Sequence, residues 1–416
     1  MITSVRSESF PFHRLALTLA ALFMASGSAL ASEANGLYWL FQRTGYSSGY
    51  TPFGQTAVAM GDSKSWPVVF SLSSSSTVQA STVQAYTLSP VNNPVTKTFW
   101  KQIGTNVITG TGFSILTAKS SSDGRVGAVL RNSLDTSLYP NPNSYVAAVG
   151  RRSTGFTAPL ANVAGIAFDA AGNLVTASAS TLAGSGTYSL SAVRSIAVTP
   201  WGDIGVLNSN YPSYQVSMPV YYEKSQLTGW QSSALYGLAM SEMSGDLAID
   251  TAGRPIFAYG TYNSSTWGVA AAYFDIMSGD WKQQTLAIGL AGSVLPTIAS
   301  DGIGGIGVSW MSTTASGSSN SLMYAYKNGS SDWAIHNVTS NLVSSGTSTG
   351  VLSPQLRVGL DYDAENYPVI SFLANNGDIW LAYDPIVPVP EPSTYCMALV
   401  GLAYGGYTIF RRRKRT

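Results

Sequence analysis

The chain has almost no cysteine and almost no histidine, with one of the former and two of the latter in 416 residues. Cys396 lies in an apolar segment near the C-terminus, so the body of the chain has neither a disulfide nor a thiolate metal site. His336 is the body's only candidate for a Ser-His-Asp triad. It alternates with apolar residues in DWAIHNV. That pattern favours a half-exposed strand residue.

Charged residues are scarce as well, at 10% of the chain with a formal net charge of +1. Seven of the 22 basic residues stand at the two ends, which leaves 15 basic against 19 acidic residues between Ser32 and Pro388. Nucleic-acid-binding proteins carry a basic patch or stripe. The mildly acidic body has none, so we exclude nucleic acid as a partner.

The N-terminal segment has the order of a secretory signal peptide. Arg6 and Arg14 precede an apolar run, and the small-x-small sequence Ala29-Leu30-Ala31 follows it. We therefore predict a signal peptide over residues 1–31, cut by signal peptidase between Ala31 and Ser32. A retained membrane anchor is the alternative, although the strongly apolar core of the run is short for a membrane span.

A second apolar segment, residues 395–410, carries no formal charge. As a helix it would reach roughly 24 Å against a hydrocarbon core of ~30 Å, and the arginines after it can snorkel to the interface. We predict a single transmembrane helix here. The positive-inside rule places the basic tail, residues 411–416, in the cytoplasm and the body on the far side. The basic cluster consists of Arg411, Arg412, Arg413, Lys414 and Arg415.

A Pro-Glu-Pro motif stands just before this helix, at Val389, Pro390, Glu391 and Pro392. The motif, the apolar helix and the arginine-rich terminus together resemble the PEP-CTERM sorting signal. The resemblance covers about 28 residues and leaves the body undefined. It implies recognition by exosortase, a membrane-embedded transpeptidase of Gram-negative bacteria. The implied fate is removal of the tail near the motif and delivery of the body to the cell surface or its polysaccharide matrix.

The linker, residues 385–394, is rich in proline. Each motif proline fixes its own φ and disfavours the helical region for the residue before it, so Val389 and Glu391 should be extended. An extended, exposed strip beside the membrane suits a processing enzyme.

The body, residues 32–384, repeats one pattern of a short strand, a polar turn and a second apolar strand. Seven such segments align on an aspartate at intervals close to 50 residues. The aligned residues are Asp62, Asp123, Asp169, Asp203, Asp250, Asp301 and Asp363. Three or four short strands in each such unit are typical of a β-propeller blade. We predict an all-β propeller of about seven blades, with the aspartates as turn-formers.

Four tryptophans mark the predicted start of a fourth strand, namely Trp100, Trp230, Trp281 and Trp333. The third unit is short, so a six-bladed count holds if it merges with the fourth. The last unit stops at Asp384 without an outer strand. The free strand GLYWLFQR, residues 36–43, is predicted to pair with it and close the ring. A pair of β-sandwiches is the competing fold.

The body offers little catalytic chemistry, and we predict no catalytic residue. Sialidases are propellers too, and SSDGRVG at residues 121–127 resembles one of their boxes without its tryptophan. A sialidase-like glycoside hydrolase, with a carboxylate pair in the central channel, is the alternative function. Four arginines lie in or beside equivalent units, namely Arg125, Arg194, Arg254 and Arg357.

We predict no cofactor and no required metal. The stretch Asp361 to Asn366 alternates oxygen ligands as calcium loops do, but it lacks their glycine. Aromatic side chains in loops can bind sugars, as in the pairs Tyr46 with Tyr50 and Tyr211 with Tyr214. The body is thus predicted to be a binding or matrix module for extracellular polysaccharide. A self-associating adhesin is a further alternative.

Overall fold

The computed structural model shows a β-propeller in which every described element is a strand. It describes residues 30–34, 37–47, 55–62, 64–74, 80–88, 100–103, 108–111, 113–132, 145–178, 192–210, 218–225, 229–234, 245–263, 266–275, 278–292, 294–313, 320–329, 332–340, 357–374 and 378–383.

Within these residues the strands form seven antiparallel sheets, numbered here in chain order. Sheet 1 contains β3 (Thr56–Gly61), β4 (Trp66–Ser74), β5 (Ala80–Leu88), β6 (Trp100–Gln102) and β7 (Ile108–Thr111). Sheet 2 contains β8 (Phe113–Ser120), β9 (Arg125–Asn132), β10 (Tyr145–Arg151), β11 (Gly155–Phe156) and β12 (Leu160–Ala161). Sheet 3 contains β13 (Gly165–Phe168) and β14 (Leu174–Ala177).

Three regular four-stranded sheets follow. Sheet 4 contains β15 (Ala192–Val198), β16 (Ile204–Asn210), β17 (Met218–Ser225) and β18 (Gly229–Ala234). Sheet 5 contains β19 (Asp246–Ile249), β20 (Pro255–Asn263), β21 (Thr266–Asp275) and β22 (Asp280–Leu290). Sheet 6 contains β23 (Thr297–Ser300), β24 (Gly305–Thr313), β25 (Asn320–Asn328) and β26 (Ala334–Asn337).

Sheet 7 joins the two ends of the chain. It contains β27 (Gly359–Tyr362), β28 (Pro368–Leu373), β29 (Asp378–Tyr383), β2 (Leu37–Ser47) and β1 (Leu30–Ala34). The first strand of each sheet contacts the first strand of the next, from β3 through β8, β13, β15, β19, β23 and β27 back to β3. These inner strands surround a central axis.

Small residues let neighbouring sheets approach closely. A side chain at Gly127 on β9 would collide with Ile166 of sheet 3. The buried layer between sheets 5 and 6 likewise combines Ala258 and Ala271 with the larger Trp310. Alternation of small and large residues fills such layers without voids. The abundance of glycine and alanine in the sequence therefore reflects sheet-to-sheet packing.

The ring is closed by the N-terminal strand, as the sequence predicted. β2 pairs antiparallel with β29, with Leu40 opposite Tyr383 and Arg43 opposite Trp380. Trp39 is completely buried and packs edge-on against Tyr324 of sheet 6, with ring centroids 5.5 Å apart. The N-terminal strand thus contributes hydrogen bonds to one sheet and apolar contact to the next.

The turn between the first two strands of a sheet follows the predicted chemistry, with one correction. The side chains of Asp169, Asp250, Asp301 and Asp363 accept backbone N–H groups of their own turns. In sheets 2 and 4 the first position of the turn is occupied by Ser121 and Thr199. Their backbones make the same turn hydrogen bonds as the aspartates make in the other sheets. Asp123 and Asp203, which the sequence alignment equated with the others, lie two and four residues further on.

The fourth-strand tryptophans are placed as predicted: Trp100, Trp230 and Trp281 lie in β6, β18 and β22, and Trp333 directly precedes β26. Of the predicted cleavage site, Ala31 and Ser32 lie in β1. Ala29, the motif at residues 389–392, the span at 395–410 and the basic cluster lie outside the described residues. Among the described residues there is no helix able to cross a membrane.

Ring closure should depend heavily on Trp39. The variant Trp39→Ala removes a completely buried indole, and such truncations cost about 3–5 kcal/mol. We expect the urea unfolding midpoint to fall accordingly, whereas Trp201→Ala, which truncates an exposed indole, should leave it nearly unchanged. Equal midpoints for Trp39→Ala and wild type would contradict closure by this strand.

Candidate functional site

The propeller axis is occupied by a buried carboxylate. Asp246, the first residue of β19, has no exposed surface. Its Oδ1 accepts hydrogen bonds from Ser195 Oγ at 2.7 Å and Lys119 Nζ at 3.2 Å. Its Oδ2 accepts the backbone N–H of Ile298 at 3.3 Å. One carboxylate therefore links the inner strands of sheets 2, 4, 5 and 6.

Arg357 supplies a second cation at the axis. It directly precedes β27, is 2% exposed, and its Nη1 lies 4.0 Å from Asp246 Oδ2. Nη1 also donates to Thr297 Oγ1 at 3.2 Å. Burial alone raises the pKa of the Asp246 carboxyl, but Lys119 and Arg357 outweigh it and hold that pKa below its usual value. Asp246 is consequently ionised at neutral pH.

A second carboxylate engages the inner strands from sheet 7. Asp361 Oδ2 accepts the backbone N–H of Met60 and the hydroxyl of Ser120, both at 2.7 Å. It thereby ties β27 to β3 and β8. Buried polar groups stabilise a fold when they are hydrogen-bonded. Asp246 and Asp361 both act as ties between sheets.

The face that carries the turns between first and second strands presents a different feature. Trp201, in the β15–β16 turn, has 56% of its surface exposed. Its Nε1 donates to Asp203 Oδ2 at 2.6 Å. Its ring lies over Gly253 in the adjacent turn of sheet 5, where there is no room for a side chain. The indole is therefore held in a fixed orientation with much of its surface in solvent.

Further polar side chains lie on sheet 4 and in the adjacent turn of sheet 5. Glu223 on β17 pairs in register with Gly205 on β16, and so lies on the same face of sheet 4 as Asp203. Burial, and then the charge of Asp203, raise the pKa of Glu223. Arg254 follows Gly253 and bonds to Asp250. We call Trp201, Asp203, Glu223, Gly253 and Arg254 the Trp201 site.

Neighbouring turns on this face are also tied to one another. The backbone N–H of Asp62 donates to Gly124 O at 3.4 Å, and that of Ala364 donates to Lys64 O at 3.0 Å. Arg152 lies over the ring of Trp66, 4.6 Å from its centroid. These contacts interlock the turns of sheets 7, 1 and 2, just as Trp201 over Gly253 links those of sheets 4 and 5.

The structure does not bring the sequence's other candidates into one site. Arg125 donates to the carbonyl of Gly172 in sheet 3, and Arg254 to Asp250 in its own turn. Arg194 and Arg357 are buried. His336 on β26 is 8% exposed, so it is buried and not half-exposed as the sequence pattern predicts. It stacks on Tyr324 with centroids 6.4 Å apart, and its Nδ1 makes no hydrogen bond within the described residues.

The calcium-like stretch is a hairpin turn. Asp363 Oδ1 accepts the backbone N–H groups of Glu365 and Tyr367. Asp361 Oδ2 instead accepts hydrogen bonds from other strands, and its Oδ1 accepts the backbone N–H of Tyr362. In the part of the chain that is described, no three His, Cys, Asp or Glu residues are grouped to hold a metal ion. Of the loop tyrosines, Tyr46 lies in β2, and Tyr50, Tyr211 and Tyr214 lie outside the described residues.

Sequence reasoning missed both Asp246 and Trp201. Asp246 opens an inner strand four residues before the aligned Asp250, and no repeat of the chain shares it. Trp201 did have a signal, because it occupies a turn position where most other units have small or polar residues and sheet 6 has Ile303.

No family model matches the chain, and no curated protein matches it. Among solved structures it is similar to a Trypanosoma rangeli sialidase in complex with the inhibitor DANA, with 9% identity and a TM-score of 0.46. That match covers 88% of this chain and 61% of the sialidase, so the chain spans less than two thirds of it.

Two further solved structures are similar at the level of the fold. An α-L-arabinofuranosidase from Fusarium graminearum shows 8% identity and a TM-score of 0.41, over 73% of this chain and 92% of its own. An endo-arabinase from Bacteroides thetaiotaomicron shows 9% identity and a TM-score of 0.32, over 82% and 96%. Sequence identities and TM-scores this low carry no information on what this chain binds.

The axial network makes stability depend on pH. Asp246→Asn leaves Arg357 buried without its counter-charge, and loss of one partner of such a pair costs about 3–5 kcal/mol. Because the pKa of Asp246 is lowered in the fold, its contribution is complete above the unfolded pKa and is lost as pH falls through the folded one. Urea unfolding should show a large difference from wild type at pH 7 that shrinks in acid.

The exposed carboxylate Asp280 on β22 gives the matched control, since Asp280→Asn should change stability little at any pH. If the difference in unfolding free energy between Asp246→Asn and wild type stayed constant down to acid pH, the charge of the carboxylate would not contribute to stability.

Proposed function

We propose that this chain is an exported protein of a Gram-negative cell surface whose propeller body binds carbohydrate without catalysis. The leader directs export through signal peptidase. The C-terminal helix anchors the precursor in the inner membrane until exosortase removes it at residues 389–392. The body then joins the cell surface or the extracellular polysaccharide. The order of motif, apolar segment and basic cluster supports this route.

The body is proposed as a seven-bladed propeller. The two-stranded sheet 3 counts as a blade because β13 contacts both β8 and β15 in the inner ring. This count accommodates the short third unit without merging it with the fourth.

The observation that carries the binding proposal is the fixed, exposed indole of Trp201. An aromatic face accepts the apolar C–H surface of a sugar ring, and nearby polar groups orient its hydroxyls. Asp203 accepts the indole N–H, and Glu223 is a partly buried carboxyl on the same face of sheet 4 as Asp203. Arg254 is a donor that follows Gly253, the glycine over which the indole lies. A site of fixed side chains loses little conformational entropy on binding.

Hydrolysis at the axis is the less favoured function. A glycosidase needs two carboxylates that reach the sugar. Asp246 is fully buried and is held by two cations and a hydroxyl, so a substrate would have to break that network first. The axial carboxylate is better suited to structure than to catalysis.

The binding proposal is tested with the producer's own extracellular polysaccharide. Trp201→Ala should bind it about tenfold more weakly than wild type, equivalent to ~1.4 kcal/mol. Ile303→Ala is the matched control, since Ile303 is 67% exposed on the equivalent turn of sheet 6. Isothermal titration or retention on the immobilised polysaccharide gives the measurement. Absence of wild-type retention at micromolar protein would remove the proposal.

The sorting proposal predicts both ends of the mature protein. Intact-mass spectrometry of protein from producing cells should find a chain that starts at Ser32 and lacks the C-terminal helix. Pro390→Ala combined with Pro392→Ala should accumulate the precursor in the membrane, because the extended recognition strip is lost. A mature protein that retains residues 395–416 would contradict the proposal.

A further inference from the structure

Glu223 is a partly buried carboxylate whose negative charge is not offset within the described residues. It lies on β17 opposite Gly205, on the same face of sheet 4 as Asp203. In this part of the chain it forms no ion pair, and burial followed by the like charge of Asp203 raises its pKa. Charged groups removed from water usually have a partner of opposite sign. Glu223 therefore needs a cation that the described fold does not supply.

Tyr221 directs an unused polar group toward the same place. The side chain is 4% exposed, and its hydroxyl lies over Gly205, where an added side chain would collide with it. Burial, and then the charges of Glu223 and Asp203, raise the pKa of Tyr221. No group among the described residues donates a hydrogen bond to this hydroxyl or accepts one from it. Buried hydroxyls are normally hydrogen-bonded, so an unpaired one beside two carboxylates indicates a position for a ligand.

Aromatic rings of sheet 5 face this part of sheet 4. The Trp281 ring on β22 packs edge-on against Tyr221, with centroids 5.4 Å apart, and Phe257 on β20 lies 5.3 Å from Trp281. Arg254, the one cation of the Trp201 site, is paired with Asp250, Nη2 to Oδ2 at 2.6 Å. Apolar walls lower the local dielectric constant and strengthen electrostatic interactions. This environment therefore increases the attraction of the carboxylates for a positively charged ligand.

We infer that the Trp201 site binds an amino sugar, with the sugar ring on the indole of Trp201 and the ammonium group at Asp203 and Glu223. This inference rests on the proposed carbohydrate binding and adds the chemical class of the sugar. An ammonium group has three donors and no acceptor. The two carboxylates and the Tyr221 hydroxyl are acceptors for it, and the face of an indole also attracts a cation. Asp203 Oδ2 lies 2.6 Å from the indole Nε1, so adjacent groups hold the ring and the ammonium.

Calcium and acidic sugars fit this arrangement less well. Ca²⁺ takes about six to eight oxygen ligands. Among the described residues no three His, Cys, Asp or Glu side chains are grouped to hold a metal ion. An acidic sugar would bring a further negative charge to Asp203 and Glu223, and like charges in an interface repel. A protonated amine offsets the charge of the carboxylates and needs only a few acceptors.

The experiment titrates the full-length chain, kept in detergent, with two probes by isothermal calorimetry. The probes are the hexamer of glucosamine and the hexamer of N-acetylglucosamine. At about pH 6 the free amine is protonated, because amines of this kind titrate near the α-amino value of ~7.7–8.0. We expect the glucosamine hexamer to bind about tenfold more tightly than the acetylated one.

Glu223→Gln should weaken binding of the glucosamine hexamer about tenfold and leave binding of the acetylated hexamer unchanged. Glu365→Gln is the matched control, because Glu365 is exposed in the sheet 7 turn on the same face of the propeller. This control should bind both probes as wild type does. Equal weakening by the two variants would show a general attraction by negative charge and would overturn the site.

A stability measurement tests the site without a ligand. Because Glu223→Gln removes repulsion from Asp203, its urea unfolding midpoint should equal or exceed that of wild type. A clearly lower midpoint would show that Glu223 has a favourable partner within the fold, and would overturn the inference.

The remaining outcomes separate the class of sugar from carbohydrate binding itself. If wild type binds both hexamers equally and Trp201→Ala weakens both, the preference for an amino sugar is wrong and carbohydrate binding stands. The same holds if the chain is retained on the producer's polysaccharide but does not bind the glucosamine hexamer. Calcium binding that Glu223→Gln abolishes would assign the carboxylates to a metal and overturn the inference. Absence of binding to both hexamers and to the polysaccharide overturns carbohydrate binding, and the amino sugar with it.

Discussion

A propeller exists only if its ring is closed, and here closure depends on the pairing of β2 with β29. Without β2, sheet 7 would present β29 as an open edge, and Tyr324 of sheet 6 would lose the indole of Trp39. Open edges invite pairing with other chains. The inner strands would also lose their fixed spacing, since each is held by its two neighbours. The axial network, the interlocked turns and the Trp201 site all presuppose a closed ring.

Two kinds of tie hold the sheets together inside that ring. Ionised groups make these ties at the axis, where Asp246 accepts hydrogen bonds from three inner strands besides its own. At the turns, neighbouring sheets are tied by backbone hydrogen bonds, by Arg152 over the ring of Trp66 and by Trp201 over Gly253. A body with few charges therefore concentrates its buried ones where several strands converge. A sequence with few charges can therefore still form an axis held by ionised groups.

Features that repeat along the chain could be predicted from the sequence, whereas features that combine distant residues could not. The strand–turn–strand units, the fourth-strand tryptophans and closure by residues 36–43 each leave a local pattern. The axial site joins Lys119, Ser195 and Asp246, whose proximity follows only from the stagger of the inner strands. The misaligned Asp123 and Asp203 show a related limit. Serine and threonine can make the same turn, so residue identity alone does not fix the turn position.

Closure by the first strand also has a consequence for how the molecule is made. Synthesis proceeds from the N-terminus, so β2 emerges long before β29, its partner in sheet 7. Contacts between such distant segments form late and slow the folding of the whole chain. Until then the edge of β2 that pairs with β29 is open, and such unpaired edges are prone to aggregation. The ring therefore cannot close until β29, the last strand of sheet 7 to be synthesised, is available to pair with β2.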